Sequence, residues 1–396
     1  MKKILSLKYL TSLCFMLFLG GMFAESLRPC FYTAYEQLQS VRSGNGLSPA
    51  RVESSYNEAL PGKSQYITMN GGFQRLMGKR YVNERYCLDN GHLTYVIPET
   101  DVTVLAENTI ALKQKLEEAG IPFLYVNSLF KIDAADKQLP VGVEDYANEN
   151  ADRFLERLRE KNVPTLDLRR RVKEQQLDHY SLFYRTDHHW TAEAGFWAFR
   201  ELVTELEKMD PSLAVDPEVL DPENYTYTVY EEIFCGSAAR RIGPLYAGLD
   251  NLTVIAPKFD TRLCLDGPDF EIYRQGTYEE TILFPERLTR ENMMTNSAYT
   301  VYLGEDYPRL YLTNDSCRQG LEVQSTPKKL LVLKDSSISV VAPYLTLGYD
   351  EVCLLDLRLF SGDMVQFAKE YGADMVLVFY NPGALESGNH MMFNFC

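Results

Sequence analysis

A chain of 396 residues, 45% hydrophobic and 24% charged, is long enough to build one large core and too apolar to be disordered. Its formal net charge of -15 leaves no basic stripe to meet phosphates, which excludes nucleic acid as a partner. The eight cysteines follow no CxxC or Cys/His spacing, so neither a metal site nor a cofactor is expected.

The chain opens with Lys2, Lys3 and Lys8 around the start of an apolar run from Tyr9 to Phe23 that closes on small residues near Ala24. This is the layout of a secretory signal over residues 1–24, either cleaved after Ala24 or kept as a signal anchor, and it places the body outside the cytoplasm. Cys14 goes with that run. Cys353, inside EVCLLDL, reads as a buried small hydrophobe, which leaves Cys30, Cys87, Cys235, Cys264, Cys317 and Cys396 able to form disulfides in an oxidising compartment.

Residues 25–105 read as an N-terminal segment packing on the core. Little regular structure is expected as far as about residue 65, and strands and turns from Gln65 to Val104. From Glu107 the rhythm changes: ENTIALKQKLEEAG is helical, PFLYVN strand-like, DRFLERLREKN helical and TLDL strand-like. The same alternation returns in KLLVLK, SISVVAPYLTLG, EVCLLDL, MVQFAKEYG and DMVLVFY. Short, fully apolar strands separated by helices predict a parallel sheet covered on both faces, an α/β sandwich whose halves are residues 106–220 and 327–396. Between them, residues 221–326 lose the pattern and read as a strand-rich insertion over the carboxyl edge of the sheet.

Two features carry chemistry. In YRTDHHWTAEAGFWAFREL, Asp187, His188, His189 and Trp190 lead into a helix with Phe196, Phe199, Leu202, Val203 and Leu206 at core spacing, and Thr186 or Thr191 is the candidate cap. In LLVLKDSSISVVAPYL an apolar strand ends at Lys334, and an Asp-Ser-Ser turn opens a helix, where main-chain N–H groups can hold an oxyanion. Either feature alone also reads as a helix cap. Together they supply what a serine nucleophile needs: a histidine base, and a carboxylate that fixes the base's tautomer. Asp187 and His189, two residues apart, can serve from one loop while Trp190 anchors it and His188 faces away, structural or substrate-facing. Gly236 and Ser237 are candidate cleft residues from the insertion. Tyr380 and Asn381, closing the last strand, are candidates for a further oxyanion donor.

The segments TDHHWT (186–191), KDSS (334–337), DLR (356–358) and VLVFYN (376–381) resemble those of the DHHW proteins, relatives of the alginate O-acetyltransferases among the SGNH hydrolases. The resemblance runs from about Glu107 to Asn381 and implies an SGNH-hydrolase-like three-layer sandwich. It assigns Ser336 as nucleophile, Asp187 and His189 as its partners, and Arg358 to the oxyanion or substrate site, with the serine last in chain order as in the alginate enzymes. It further implies acetyl transfer to a cell-surface glycan or exopolysaccharide, with a membrane-bound O-acyltransferase as donor partner. Hydrolysis of the same acyl-enzyme by water would give a carbohydrate acetylesterase. Lys334 stands where the family carries glycine. A turn crowded by that side chain would instead leave a non-catalytic glycan-binding surface protein.

Overall fold

The computed structural model describes residues 2–42, 49–316 and 327–395, and the chain divides into two units, Met1–Phe73 and Gln74–Cys396. The first unit is helical: α1 (Lys2–Arg42), α2 (Pro49–Ala59) and most of α3 (Lys63–Leu76). Among the described residues, helix replaces most of the irregular segment expected over residues 25–65, and α1 continues unbroken past Ala24 to Arg42. Its stretch Tyr9–Arg42 has a mean hydropathy of 1.6 in its most apolar window, none of it buried, and is long and apolar enough to cross a membrane. A signal sequence has the same properties.

In the second unit a small antiparallel sheet, β1 (Tyr81–Val82), β2 (Arg85–Cys87) and β3 (Leu93–Thr94), comes first. The central sheet is built on β4 (Phe123–Asn127), β5 (Thr165–Asp167), β11 (Lys329–Lys334), β12 (Glu351–Leu355) and β13 (Met375–Tyr380), which run parallel in the order β5-β4-β13-β11-β12. The α/β sandwich predicted from the apolar strands is the observed architecture.

Strand alternation divides these residues between two cores. Leu124, Val126, Leu330, Val332, Val352, Leu354, Leu377 and Phe379 face one core. That core is covered by α7 (Ala192–Met209) and the helix Ala342–Gly348. Phe123, Tyr125, Leu331, Leu333, Cys353, Leu355, Val376, Val378 and Tyr380 face the other. There α4 (Thr103–Glu118), α5 (Ala147–Glu160) and the helix Met364–Tyr371 cover them, and α5 contributes Ala151, Phe154, Leu155 and Leu158 at helical spacing. The short helix α6 (Leu168–Glu174) follows β5 directly, capped by Asp167.

The strand-rich insertion is a part of the sheet. It forms the separate hairpin β6 (Tyr225–Phe234) with β7 (Asp250–Pro257), but β8 (Leu263–Gly267), β9 (Ile272–Gly276) and β10 (Arg309–Asn314) extend the central sheet antiparallel in the order β12-β10-β8-β9. Half-polar strands such as RLYLTN and IYRQG suit this flank, where one face is less covered. Cys14, Cys30, Cys87, Cys235, Cys264 and Cys353 are all free thiols, and Cys353 is buried as expected. Cys317 and Cys396 lie outside the described residues.

Candidate active site

Polar residues close the parallel strands at one edge of the sheet: Asn127 on β4, Asp167 on β5, Asp335 after β11, Asp356 after β12 and Asn381 after β13. This is the edge where open α/β sheets hold their ligands. Ser336 stands there, half-buried, directly after Asp335.

The Asp335 carboxylate shapes the serine turn. One oxygen accepts from Ser337 N at 2.8 Å and from the Ser337 hydroxyl, and the other accepts from Asn381 N and Asn381 Nδ2, both at 2.7 Å. The turn from Ser336 to Val340 is a short 3-10 helix, and the α-helix expected at the serine begins only at Ala342. The Ser336 N–H, at the first position of that turn, has no partner within it.

The histidine arrives on a closed loop. Phe183 and Trp190 bridge antiparallel, Thr191 N donates to Leu182 O at 2.8 Å, and the Thr191 side chain caps α7. Trp190 is buried and donates from Nε1 to Ser337 O at 2.8 Å, which ties the loop to the serine turn. From this platform His189 Nε2 lies 2.8 Å from Ser336 Oγ, and its Nδ1 lies 2.5 Å from Asp187 Oδ1. Asp187 is 1% exposed and also accepts from His189 N at 2.9 Å and from Ser237 N. Burial alone would raise its carboxyl, but the neighbouring His189 and these bonds hold it well below the usual carboxylate range. The three residues singled out in sequence therefore form one continuous hydrogen-bonded line.

Two close approaches hold this line in register. A Cβ on Gly195 would stand 2.6 Å from Val340 Cγ2, so α7 rests directly on the serine turn. A Cβ on Gly236 would stand 2.6 Å from Asp187 Cβ, so the insertion packs against the loop at the same closeness. Gly236 and Ser237 thus belong to the site as supports of Asp187.

The remaining candidates fare differently. His188 turns its Nδ1 to Ser237 Oγ at 2.8 Å, and its ring lies 3.8 Å from that of His189. Although a third of its side chain reaches solvent (34%), burial and then the adjacent His189 charge push its pKa down to about 3, so it stays neutral. Tyr380 is excluded as an oxyanion donor: strand alternation points it into the second core, where its hydroxyl donates to Met392 O at 2.8 Å. Asn381 is likewise committed, its amide donating to Asp335 and its carbonyl accepting from Gly383 N at 2.7 Å.

Arg358 binds Asp356 and Asp306, and 34% of its side chain is exposed. Lys334 does not crowd the serine turn. Its ammonium, 4% exposed, is drawn away to the same two carboxylates, Asp306 and Asp356, closing a partly buried cluster of two cations and two anions.

Asp187, His188 and His189 bring three metal-ligand atoms within 4.8 Å of one another. Both ring nitrogens of His189 are already turned to Asp187 and Ser336, however, so the donors form a relay and do not converge on one point.

Two supports were not legible in sequence. Lys131, 1% exposed, donates from Nζ to the carbonyls of Leu93, Tyr184, Arg185 and Asp187 at 2.7, 2.7, 3.0 and 2.5 Å. Tyr299, from the segment before β10, stacks on His189, and its buried hydroxyl has no partner among the described residues.

The fold and this site define an SGNH-hydrolase-like domain. Residues 99–231 match the family model of the SGNH hydrolase-like domain of acetyltransferase AlgX. Among solved structures, PatB1 of Bacillus cereus superposes with a TM-score of 0.62 at 22% identity, over 78% of this chain and 98% of that one. A DHHW family protein of Eubacterium siraeum follows with 0.59 at 16% identity, over 79% and 96%. The O-acetyltransferase domain of Pseudomonas putida AlgJ gives 0.43 at 13%, over 76% and 92%. No curated protein matches the sequence. The resemblance to the DHHW proteins and the alginate acetyltransferases drawn from the motifs is thus borne out, as is the SGNH-hydrolase-like fold.

Proposed function

We propose that the chain is an exported serine-dependent O-acyltransferase that moves an acetyl group onto a cell-surface or exopolysaccharide glycan through an acyl-enzyme on Ser336. The observation that carries this reading is the unbroken line from Asp187 through His189 to Ser336 at the carboxyl edge of the sheet. His189 takes the Ser336 proton as Oγ attacks the ester carbonyl, and Asp187 stabilises the resulting imidazolium. The Ser336 N–H, without a partner among the described residues, is the donor to the oxyanion, with Arg358 assigned to the substrate side. His189 then protonates the departing alkoxide. A glycan hydroxyl next attacks the acyl-enzyme, giving its proton to His189, which returns it to Ser336 Oγ as the ester is released.

Transfer is favoured over hydrolysis because the family model matching residues 99–231 is that of an acetyltransferase. The apolar stretch of α1, unburied in its most apolar window, supports export, with this helix as signal or anchor. An exported domain has no access to cytoplasmic acetyl-CoA, so a membrane-bound O-acyltransferase is assigned as the partner that delivers acetyl across the membrane.

The test is turnover of 4-nitrophenyl acetate by the full-length protein in detergent, wild type against Ser336→Ala, with and without glycan oligomers. Release of nitrophenol that needs Ser336 and leaves acetylated oligomer supports the transferase. Serine-dependent release without acetylated product makes it an esterase, and equal inertness of two folded proteins overturns both.

A further inference from the structure

The loop from Phe183 to Trp190 is folded around a cation. Four carbonyl oxygens surround Lys131 Nζ, three of them from this loop (Tyr184, Arg185 and Asp187) and one from Leu93 on β3. Among the described residues no carboxylate lies within ion-pair distance of it, so the main chain alone satisfies the ammonium. An ammonium has three N–H groups for these four acceptors. A neutral amine has two, and its lone pair must face a carbonyl oxygen. Loss of the proton therefore breaks at least one bond to the loop and sets a repulsion in its place.

We propose that Lys131 is a positioning residue for the relay: as an ammonium it gathers the carbonyls of Tyr184, Arg185 and Asp187 and holds Asp187 and His189 in working alignment, and as an amine it releases them. This rests on the reading of Asp187 and His189 as the relay. The charged and titratable groups facing Nζ are Asp187 and Asp250, which favour the ammonium, Arg185, which opposes it, and Cys87, with His92 and His188 also within its field. Burial is the largest influence and lowers its pKa, to about 7, which brings the switch into the physiological range.

The experiment follows two signals in the full-length protein in detergent: the low-field proton resonance of the Asp187–His189 hydrogen bond, and kcat/KM for 4-nitrophenyl acetate. In wild type both are expected to fall as pH rises from about 7 to about 9, the range over which Lys131 loses its proton. Lys131→Met is expected to lack the resonance at every pH and to lose roughly 100-fold in kcat at little-changed KM, as misalignment of a relay does. Signals indifferent to pH in wild type, or kept by a folded Lys131→Met, overturn the proposal, and the wild-type titration decides even where that variant does not fold. Ester turnover lost in Ser336→Ala beside a flat resonance sinks the positioning role alone. A pH-dependent resonance in a protein that turns over no ester sinks the acyl-transfer reading and leaves the positioning role standing.

Discussion

The ring of Tyr299 lies 4.1 Å from that of His189, centroid to centroid, and within 15° of parallel to it. In the proposed reaction that imidazole becomes a cation each time Ser336 gives up its proton, and an aromatic face stabilises a desolvated cation by about 0.5–2 kcal/mol. Tyr299→Leu is therefore expected to lower kcat/KM roughly tenfold, because the imidazolium of His189 loses support. Tyr299→Phe keeps the ring and removes a buried hydroxyl that has no partner among the described residues, so it should leave turnover in place and stability unchanged or slightly higher. Turnover lowered by Phe as much as by Leu would refute the stacking argument.

Asp187→Asn keeps the volume of the side chain but offers the wrong hydrogen bond to His189 Nδ1. A loss in kcat on the order of 10³–10⁴-fold is expected, with a matching fall in the rate at which a sulfonyl fluoride labels Ser336. The low carboxyl pKa makes this anion persistent. Its contribution to stability is present above the ordinary carboxylate range and is lost only as pH falls through the depressed folded value, so any loss of activity between about pH 5 and 6 should come without unfolding. Near-UV circular dichroism held constant while activity falls checks this.

Gly236→Ala tests the support of the loop from the insertion side. The new methyl meets the Thr186 main chain and the Asp187 side chain, neither of which can yield without moving the relay. Activity is expected to fall more than tenfold at a stability cost of about 1–3 kcal/mol. Unchanged kcat in this variant would mean that Asp187 can shift without consequence.

Lys334→Met separates the buried ion cluster from the chemistry. It leaves Asp306 and Asp356 with Arg358 alone, and urea unfolding should register a loss of about 3 kcal/mol while turnover per folded molecule is preserved. A large drop in turnover without loss of stability would bring Lys334 into the catalytic machinery.

The sheet was legible because β4, β11, β12 and β13 are buried on both faces and therefore apolar at nearly every position. The Asp-His-His-Trp and Asp-Ser-Ser segments were legible because both stand where strand or loop gives way to helix. Strands β8 to β10 were harder to place, since a half-covered antiparallel flank carries Arg, Gln and Asp among its apolar residues. Helix α3 hides behind the strand-like YITM and the pair Gly71-Gly72. Tyr380 and Asn381 closed the right strand, but the parity that sends Tyr380 into the far core appears only once the register is known. Lys131, within LFKIDAADK, has the sequence appearance of a solvated loop lysine, because the carbonyls that bind it come from segments 38 to 56 positions away.

Gly195 has a consequence for how this protein can vary. His189 and Ser336 are 147 positions apart, yet the spacing between their segments is set by one main chain resting on another and by a single indole bond. Gly236, Ser237 and Tyr299 reach back from the intervening stretch to Asp187 and His189, but its flanking strands β8 to β10 lie outside that contact. Those segments are free to be lengthened, trimmed or reshaped for a different acceptor, while the reacting pair inherits its geometry unaltered.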